Sequence, residues 1–247
     1  MEGVGKWQPY GRLIRIYRMA SSARRRARNG NFSLRENLTV KRERAAVILK
    51  KLRKIYPDAK TSLDYTNTFE LLIGTLLSAQ CTDKAVNNET PALFKAMPDA
   101  TTMARASVDD IRELVKRINF FNNKAKNMHK TANIIVDKHG GEVPSTMDAL
   151  LELAGVARKT ANCVMGRGFN NPVGIVIDTH VGRIARRMNL TAQHDPIKVE
   201  LDLMKLFERD DWVFISHSLI YLGRETCTAR RAKCDECPFF TQCPQVL

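Results

Sequence analysis

The chain has 247 residues, of which 40 are Lys or Arg and 26 are Asp or Glu, giving a formal net charge of +14. No apolar run approaches the roughly 20 residues of a transmembrane helix, which argues against a membrane protein, and the hydrophobic fraction of 44% is typical of a globular one. The excess of positive charge favours a polyanionic partner such as nucleic acid.

Residues 1–39 are predicted to form a basic arm that is disordered or loosely helical. Residues 1–44 contain twelve Lys or Arg and three acidic residues, and the stretch SSARRRARNG has no apolar periodicity. Non-specific nucleic-acid binding and a solvated tail both explain such a segment. The segment GRLIRIYRMA carries arginines where a secretory signal would be apolar, so we predict an intracellular, cytoplasmic protein.

From residue 40 onward, the apolar spacing predicts one helix after another. In VKRERAAVILKKLRKIYP, apolar residues recur every three or four positions until Pro57. The run from Phe69 to Ala79 is apolar on nearly all sides, which indicates a buried helix with Asn67 or Thr68 as its N-cap. Further helices are predicted over residues 89–97, 107–116, 123–138, 145–153, 158–168, 179–189, 196–208 and 211–222.

Only residues 172–179, PVGIVIDT, resemble a β-strand. A single strand cannot form a sheet, because each strand needs a neighbour for its backbone hydrogen bonds. The predicted fold class is therefore all-α.

Four of the six cysteines lie close together near the C-terminus. They are Cys227, Cys234, Cys237 and Cys243, separated by six, two and five residues. Disulfides are disfavoured inside cells, so a metal site is the main candidate, either tetrahedral zinc or an iron–sulfur cluster. Zinc sites usually pair two CxxC units and this segment has one, so the spacing favours the cluster and leaves zinc open. Cys81 and Cys163 lie on apolar helical faces and are predicted to be ordinary buried thiols.

The stretch LLELAGVARKTANCV, residues 150–164, predicts two helices joined by a tight turn. Ser145 or Thr146 would cap the first helix, which runs to Leu153. Gly155 permits a positive φ, and the turn amides with the next helix N-terminus could form a concave donor set for one phosphate. Such contacts hold a nucleic-acid backbone without reading its bases. A plain turn between two helices fits the same residues.

Four features together resemble the endonuclease III family of DNA glycosylases, in the helix-hairpin-helix superfamily. They are FELLIGTLLSAQCTDKAVN, the hairpin LLELAGVARKTAN, the segment IVIDTHVGRIARR and the final cysteine spacing. The resemblance implies a two-domain fold, with a six-helix barrel domain over residues 61–171 and an iron–sulfur cluster domain formed by residues 40–60 and 172–247. It also implies that the four cysteines hold a 4Fe-4S cluster.

The resemblance assigns Lys159 as the catalytic nucleophile. Its neutral amine would attack the sugar C1′, the base would leave, and the resulting imine would permit β-elimination of the 3′ phosphate. Asp178 corresponds to the family's catalytic carboxylate, and it is also an N-cap candidate for the helix that follows. His180 could orient Asp178 or simply pack. Without the resemblance, Lys159 would be interpreted as an exposed phosphate contact.

Further residues are implied as DNA contacts. Gln80 and Phe120 would fill the gap left by an extracted base, and Gly155, Val156 and Ala157 would bind a phosphate through the hairpin backbone. The family has an aliphatic residue where this chain has Phe120, so its preference for the lesion or for the opposite base is expected to differ. Phe120 and its neighbour could instead belong to the core.

The hairpin departs from the family pattern at two positions. Ala154 replaces a usual proline, and Ala157 replaces a second glycine. If position 157 needs a positive φ, alanine costs about 1–2 kcal/mol there. The expected consequence is weaker DNA binding or a slower lyase step.

These features predict a bifunctional DNA glycosylase and abasic-site lyase that removes oxidised pyrimidines in base excision repair. It is expected to act as a nucleoid-associated monomer on duplex DNA that contains a damaged base or an abasic site. Two alternatives stay open. One is an adenine-specific monofunctional glycosylase, which would not need Lys159, and the other is a non-catalytic or weakly active iron–sulfur DNA-binding paralogue, which the hairpin departures favour.

Overall fold

The computed structural model describes residues 36–245, so most of the predicted basic arm lies outside the described residues. Within residues 36–245 no β-strand is present, and the only β-type pairing is an isolated bridge between Cys227 and Ala232. Of the predicted strand-like run 172–179, residues 172–178 form an irregular segment and Thr179 begins a helix. The all-α prediction is confirmed. No helix in the described part of the chain combines the length and the apolar character that a bilayer span requires.

The described residues form eleven α-helices joined by short connections. Their bounds are α1 Leu38–Ile55, α2 Thr68–Leu77, α3 Asp83–Ala96, α4 Ala100–Arg105, α5 Val108–Leu114, α6 Phe121–His139, α7 Met147–Leu151, α8 Arg158–Cys163, α9 Thr179–Arg187, α10 Pro196–Met204 and α11 Trp212–Glu225. A π-helical turn, Val164–Gly168, continues α8, and 3₁₀ turns occur at Arg209–Asp211 and Cys234–Glu236.

The largest differences from the sequence prediction concern two helices, α3 and α4. Helix α3 begins at Asp83 rather than at residue 89, because the Thr82 side chain caps it by accepting from the Ala85 amide at 3.2 Å. The polar residues of its first two turns hide this start from an apolar pattern. Helix α4 was not predicted at all. It has six residues, too few for periodicity to be recognised, and depends on Asp99, whose carboxylate accepts from the Thr102 amide at 2.7 Å.

The chain divides into two compact units. The first, Lys60–Val176, has one apolar core to which α2 contributes from almost every side, and α6 packs against α4 and α5 within it. This is the buried helix that the sequence predicted, and Asn67 is its N-cap, accepting from the Glu70 amide at 2.9 Å. The first unit therefore contains the hairpin at residues 151–158 on a rigid helical framework.

The second unit contains described residues 36–59 and 177–245. Helices α9 and α11 pack together, and α1 packs on α11. Arg44 of α1 ties the C-terminal loop to this framework, because its guanidinium donates to the carbonyls of Met188 at 2.6 Å and Gln242 at 3.1 Å. Lys51, two turns further along α1, donates to the Gln242 side chain at 2.6 Å. Helix α1 thus anchors the loop that carries the four clustered cysteines.

Candidate functional site

The predicted hairpin is present between α7 and α8. The Val156 amide donates to the Leu153 carbonyl at 3.1 Å, and the Thr131 hydroxyl holds the turn by donating to the Ala154 carbonyl at 2.9 Å. Gly155 has φ +79°, as the sequence predicted. A Cβ at Gly155 would also lie 2.7 Å from Nδ2 of Asn127. Both the backbone conformation and the available space therefore require glycine there.

The amides of the hairpin are not equally available to a ligand. The Val156 amide is used inside the turn, and its side chain is buried in the core. The first backbone bond of α8 runs from the Ala161 amide to the Ala157 carbonyl at 3.0 Å. The amides of Gly155, Ala157, Lys159 and Thr160 have no backbone acceptor within the described residues. These four are donors that the hairpin can offer to an anion, and Val156 contributes packing.

The expected strain at Ala157 is absent. Ala157 has φ −95° and ψ 168°, an extended conformation that any residue adopts, and it serves as the N-cap of α8. Ala154 has no positive φ either. The hypothesis that Ala157 forces the hairpin away from its phosphate was therefore wrong, because the positive φ of this turn is confined to Gly155. Alanine forgoes only the side-chain cap that Ser, Thr, Asp or Asn would supply.

Lys159 lies in the first turn of α8, directly after this hairpin, and its side chain is exposed. Its amine forms no hydrogen bond or ion pair within residues 36–245. Cys163, one turn further, has Sγ 3.8 Å from the Thr75 hydroxyl. Burial raises the pKa of the Cys163 thiol, and the hydrogen bond to Thr75 and the charge of Lys159 oppose this only in part. Cys163 is thus a neutral structural thiol, whereas the Lys159 amine is exposed and has no competing partner among the described residues.

Asp178, in the second unit, caps α9. One oxygen, Oδ1, accepts from the amides of His180 and Val181, each at 2.8 Å, so the N-cap prediction is confirmed. The other oxygen, Oδ2, has no hydrogen-bond partner in the described part of the chain. The cap fixes the orientation of the carboxylate and leaves one oxygen available for chemistry.

The His180 ring packs and does not orient Asp178 by a side-chain bond. Its Nδ1 accepts from the Arg183 guanidinium at 3.2 Å, because arginine can only donate. A Cβ at Gly223 would lie 2.8 Å from the same Nδ1, so the ring lies close against α11. Arg183 also donates to the Cys227 carbonyl at 2.9 Å. His180 therefore belongs to the packing between α9 and the start of the cysteine loop.

Gln80 and Phe120 lie on two neighbouring loops of the first unit. The Asn119 side-chain amide donates to the Gln80 carbonyl at 3.0 Å and joins the loops directly. Both residues have left-handed backbones, with φ +53° at Gln80 and +59° at Phe120. The Phe120 side chain is 63% exposed, so it is not a core residue, whereas Phe121 packs against the core. The structure thus joins the two loops that carry the residues predicted to fill the space left by an extracted base.

Sequence reasoning missed one residue behind these loops, Lys124. Its amine is buried and donates to the carbonyls of Leu77 at 2.8 Å and Ala79 at 2.7 Å. Burial lowers the pKa of Lys124 from its ordinary value. The sequence signal was the position of Lys124 on the helix. Lys124 lies on the same buried face of α6 as Ala125 and Met128, where a lysine side chain is shielded from solvent.

The four clustered cysteines line one cavity in the second unit. Arg187 and Lys233 lie at its wall together with the apolar side chains of Met188 and Phe240. The Arg187 guanidinium donates to Sγ of Cys227 at 3.3 Å, the type of contact that stabilises a thiolate. No three His, Cys, Asp or Glu side chains within residues 36–245 form a group able to hold a single metal ion. The thiols instead surround a shared space.

Burial favours the protonated form of two of these thiols. It raises the pKa of Cys237 to about 12 and that of Cys243 to about 11, in both cases with the neighbouring cysteines adding to the effect. Such thiols hold their protons near neutral pH unless a cation displaces them. Four sulfur donors around one apolar-walled cavity fit an iron–sulfur cluster, whose ligands are thiolates.

Comparison with known proteins extends this description. The profile of the HhH-GPD superfamily of base excision DNA repair proteins matches residues 73–209. Endonuclease III of Synechocystis sp. is 47% identical over 212 residues, which cover 86% of this chain and 97% of that protein. Endonuclease III of Haemophilus influenzae is 43% identical over 190 residues, which cover 77% and 90%.

A solved structure gives the corresponding match in three dimensions. The structure of a trapped endonuclease III–DNA covalent intermediate superimposes with a TM-score of 0.77 at 36% sequence identity. The match covers 82% of this chain and 95% of that one. The structural likeness therefore extends over both compact units, and it covers more of the chain than residues 73–209, which the profile matches.

Proposed function

Since the chain belongs to the endonuclease III family of base excision repair DNA glycosylases, we propose that it removes oxidised pyrimidines from duplex DNA and then cleaves the strand through Lys159. The observation that carries this proposal is the exposed, unpaired amine of Lys159 in the first turn after the Gly155 hairpin. The hairpin can bind a phosphate while the amine next to it reacts with the neighbouring sugar.

The reaction assigned to Lys159 proceeds in balanced steps. The neutral amine attacks C1′, the bond from C1′ to the base breaks, and the base leaves with the electron pair and takes up a proton. Opening of the sugar ring gives an imine between Nζ and C1′. Loss of a C2′ proton then expels the 3′ phosphate, and water hydrolyses the imine to release Lys159. An amine is required, because only a nitrogen nucleophile forms the imine that acidifies C2′.

Asp178 is proposed as the carboxylate of this reaction. A carboxylate favours loss of the amine proton and stabilises the positive charge that develops on the sugar as the base leaves. The cap supports the role, because Oδ1 is held by two amides and Oδ2 is open. A carboxylate fixed in this way needs no reorganisation during the reaction.

DNA binding is assigned to three parts of the first unit. The open amides of the hairpin bind one phosphate, while Gln80 and Phe120 occupy the space vacated by the extracted nucleotide. The size and flat shape of Phe120 favour stacking between bases over simple wedging. We expect the protein to bind damaged or abasic duplex DNA as a monomer in the cytoplasm, at the nucleoid.

The four cysteines are proposed to hold a 4Fe-4S cluster in the unit that contains Asp178. When bound, the cluster would fix the C-terminal loop by four covalent attachments within residues 227–243. Arg187 and Lys51 support that loop, through Cys227 and through Gln242 and the Pro238 carbonyl, respectively. We assign the cluster a structural role, and the unit 60–176 the role of the helical barrel.

The alternatives lose their support. The non-catalytic paralogue rested on strain at Ala157, which has an extended backbone. A monofunctional adenine glycosylase leaves no role for an exposed amine at the hairpin.

The test compares the wild-type protein with Lys159→Gln on duplexes containing thymine glycol or an abasic site. Lys130→Gln, an exposed lysine of α6, is the matched control. We expect the wild type and the control to release thymine glycol and to cleave the damaged strand of both duplexes. Lys159→Gln should bind DNA without cleaving it. Strand cleavage by Lys159→Gln at the wild-type rate would contradict the assignment.

A further inference from the structure

We propose that Lys124 and Asn119 are positioning residues for base extraction, which clamp the loops of Gln80 and Phe120 into one rigid element. The proposal rests on the function proposed above, because it assumes that these two side chains enter the duplex. Neither Lys124 nor Asn119 has a part in the chemistry at Lys159.

Three hydrogen bonds form the clamp. Lys124 donates to the carbonyls of Leu77 and Ala79, and Asn119 donates to that of Gln80. All three donors come from residues 119–124, and all three acceptors come from the end of α2 and the residues after it. The segment that carries Phe120 is therefore attached to the last residue of α2, Leu77, and to two residues of the following loop, Ala79 and Gln80.

The cost of burying Lys124 indicates that these bonds matter. Burial of an ammonium is unfavourable unless hydrogen bonds and charge compensate. Here the carbonyls at the C-terminus of α2 compensate, because they carry the negative end of the helix dipole. An apolar residue would fill the same position in α6 without this cost, but it would leave the carbonyls of Leu77 and Ala79 unpaired.

The backbone of both loops is unusual in the same way. Gln80 and Phe120 adopt left-handed conformations that favour glycine, although neither is glycine. Their side chains are exposed, while the backbone beneath them is held by the clamp. Strain retained at two adjacent loops needs surrounding contacts that fix it, and it points to side chains held ready for use.

Rigidity has a direct consequence for base extraction. Unstacking and unpairing a nucleotide costs a few kcal/mol, which inserted side chains must offset. A flexible loop would shift away from the stacked bases instead of displacing the nucleotide. The clamp thus converts the exposed positions of Gln80 and Phe120 into a fixed wedge.

The experiment measures insertion separately from chemistry. Its probe is a duplex with 2-aminopurine opposite a tetrahydrofuran abasic analogue, whose fluorescence changes when side chains enter the gap. The variants are Lys124→Met and Asn119→Ala, with Lys126→Met as the control, because Lys126 is an exposed lysine on the same helix. Single-turnover release of thymine glycol and cleavage at a preformed abasic site are measured alongside.

At saturating protein, we expect Lys124→Met to lose most of the fluorescence change and to release the base about tenfold more slowly, which corresponds to about 1.4 kcal/mol in the activation free energy. Asn119→Ala should show a smaller loss, and Lys126→Met should match the wild type. Cleavage at the preformed abasic site should fall less than base release, because no base has to be extracted.

Unchanged fluorescence in Lys124→Met would overturn the proposal. An equal loss of base release and of abasic-site cleavage would also overturn it, because such a loss indicates general damage to the protein and not a defect in base extraction. Asn119→Ala alters an exposed amide only, so it carries the test if Lys124→Met fails to fold, and wild-type fluorescence in it would overturn the clamp. A wild-type protein that inserts into the tetrahydrofuran duplex but releases no base would contradict the proposed function alone.

Discussion

Gly155→Ala should destabilise the protein by more than an ordinary glycine substitution at positive φ. A left-handed backbone costs alanine about 1–2 kcal/mol. At Gly155 the new Cβ would also lie 2.7 Å from Nδ2 and 3.3 Å from Cβ of Asn127, so that side chain must move. Forcing an extra methyl group into a packed site typically costs about 1–3 kcal/mol. This steric cost adds to the backbone cost.

Gly140→Ala supplies the matched control. Gly140 ends α6 with φ +62°, and a Cβ there meets nothing within 4 Å. It should therefore cost only the backbone contribution of about 1–2 kcal/mol. The difference between the two variants isolates the clash with Asn127, and Asn127→Ala in the Gly155→Ala background should recover part of it.

Guanidinium unfolding followed by circular dichroism measures these free energies of unfolding, and fluorescence anisotropy with an undamaged duplex measures DNA binding. Gly155→Ala should weaken DNA binding, whereas Gly140→Ala should not. Equal destabilisation by the two substitutions, or no recovery in the double variant, would refute the steric argument. Wild-type affinity in Gly155→Ala would refute the assignment of the hairpin to phosphate binding.

Three further predictions concern Asp178, the cysteine cavity and two helix caps. Asp178→Asn should unfold at nearly the wild-type denaturant concentration, because asparagine caps a helix as well as aspartate does, but it should lose base release. Asp178→Ala should lose base release and also about 1 kcal/mol of stability. Base release by Asp178→Asn would contradict the role of the carboxylate. Cys234→Ser should lower the iron content and the melting temperature together, and full iron content would remove Cys234 from the ligand set. Hydrogen bonds from Thr102 and Ser107 lower the pKa of Asp99 and Asp110, respectively. The stabilisation from these two carboxylates is therefore full above the ordinary aspartate pKa and is lost as the pH falls through the lowered pKa values. The double variant Asp99→Asn with Asp110→Asn should show a smaller decrease of melting temperature at acid pH than the wild type.

The sequence predicted those parts of the site that depend on local backbone chemistry. Gly155 was recognisable because a glycine between two apolar helical runs needs a reason, and a positive φ is the usual one. Asp178 was recognisable as an N-cap from its position before a helical face. Both features are fixed by a few neighbouring residues, so tertiary packing did not change them.

Features that leave no local sequence pattern, and features that depend on contacts between distant segments, were not predictable. The extended backbone at Ala157 follows from how α8 begins, and a comparison of residue types with a family pattern gave the opposite expectation. The burial of Lys124 depends on carbonyls some 45 residues earlier in the chain. Helix α4 escaped recognition because six residues are too few for a helical pattern.

Borohydride trapping identifies the nucleophile directly. The wild-type protein is incubated with a thymine glycol duplex and borohydride, which reduces an imine to a stable amine, and the digested adduct is sequenced by mass spectrometry. The sugar remnant should be attached to Lys159. Attachment to another lysine or to the N-terminal amine, with Lys159 unmodified, would contradict this assignment.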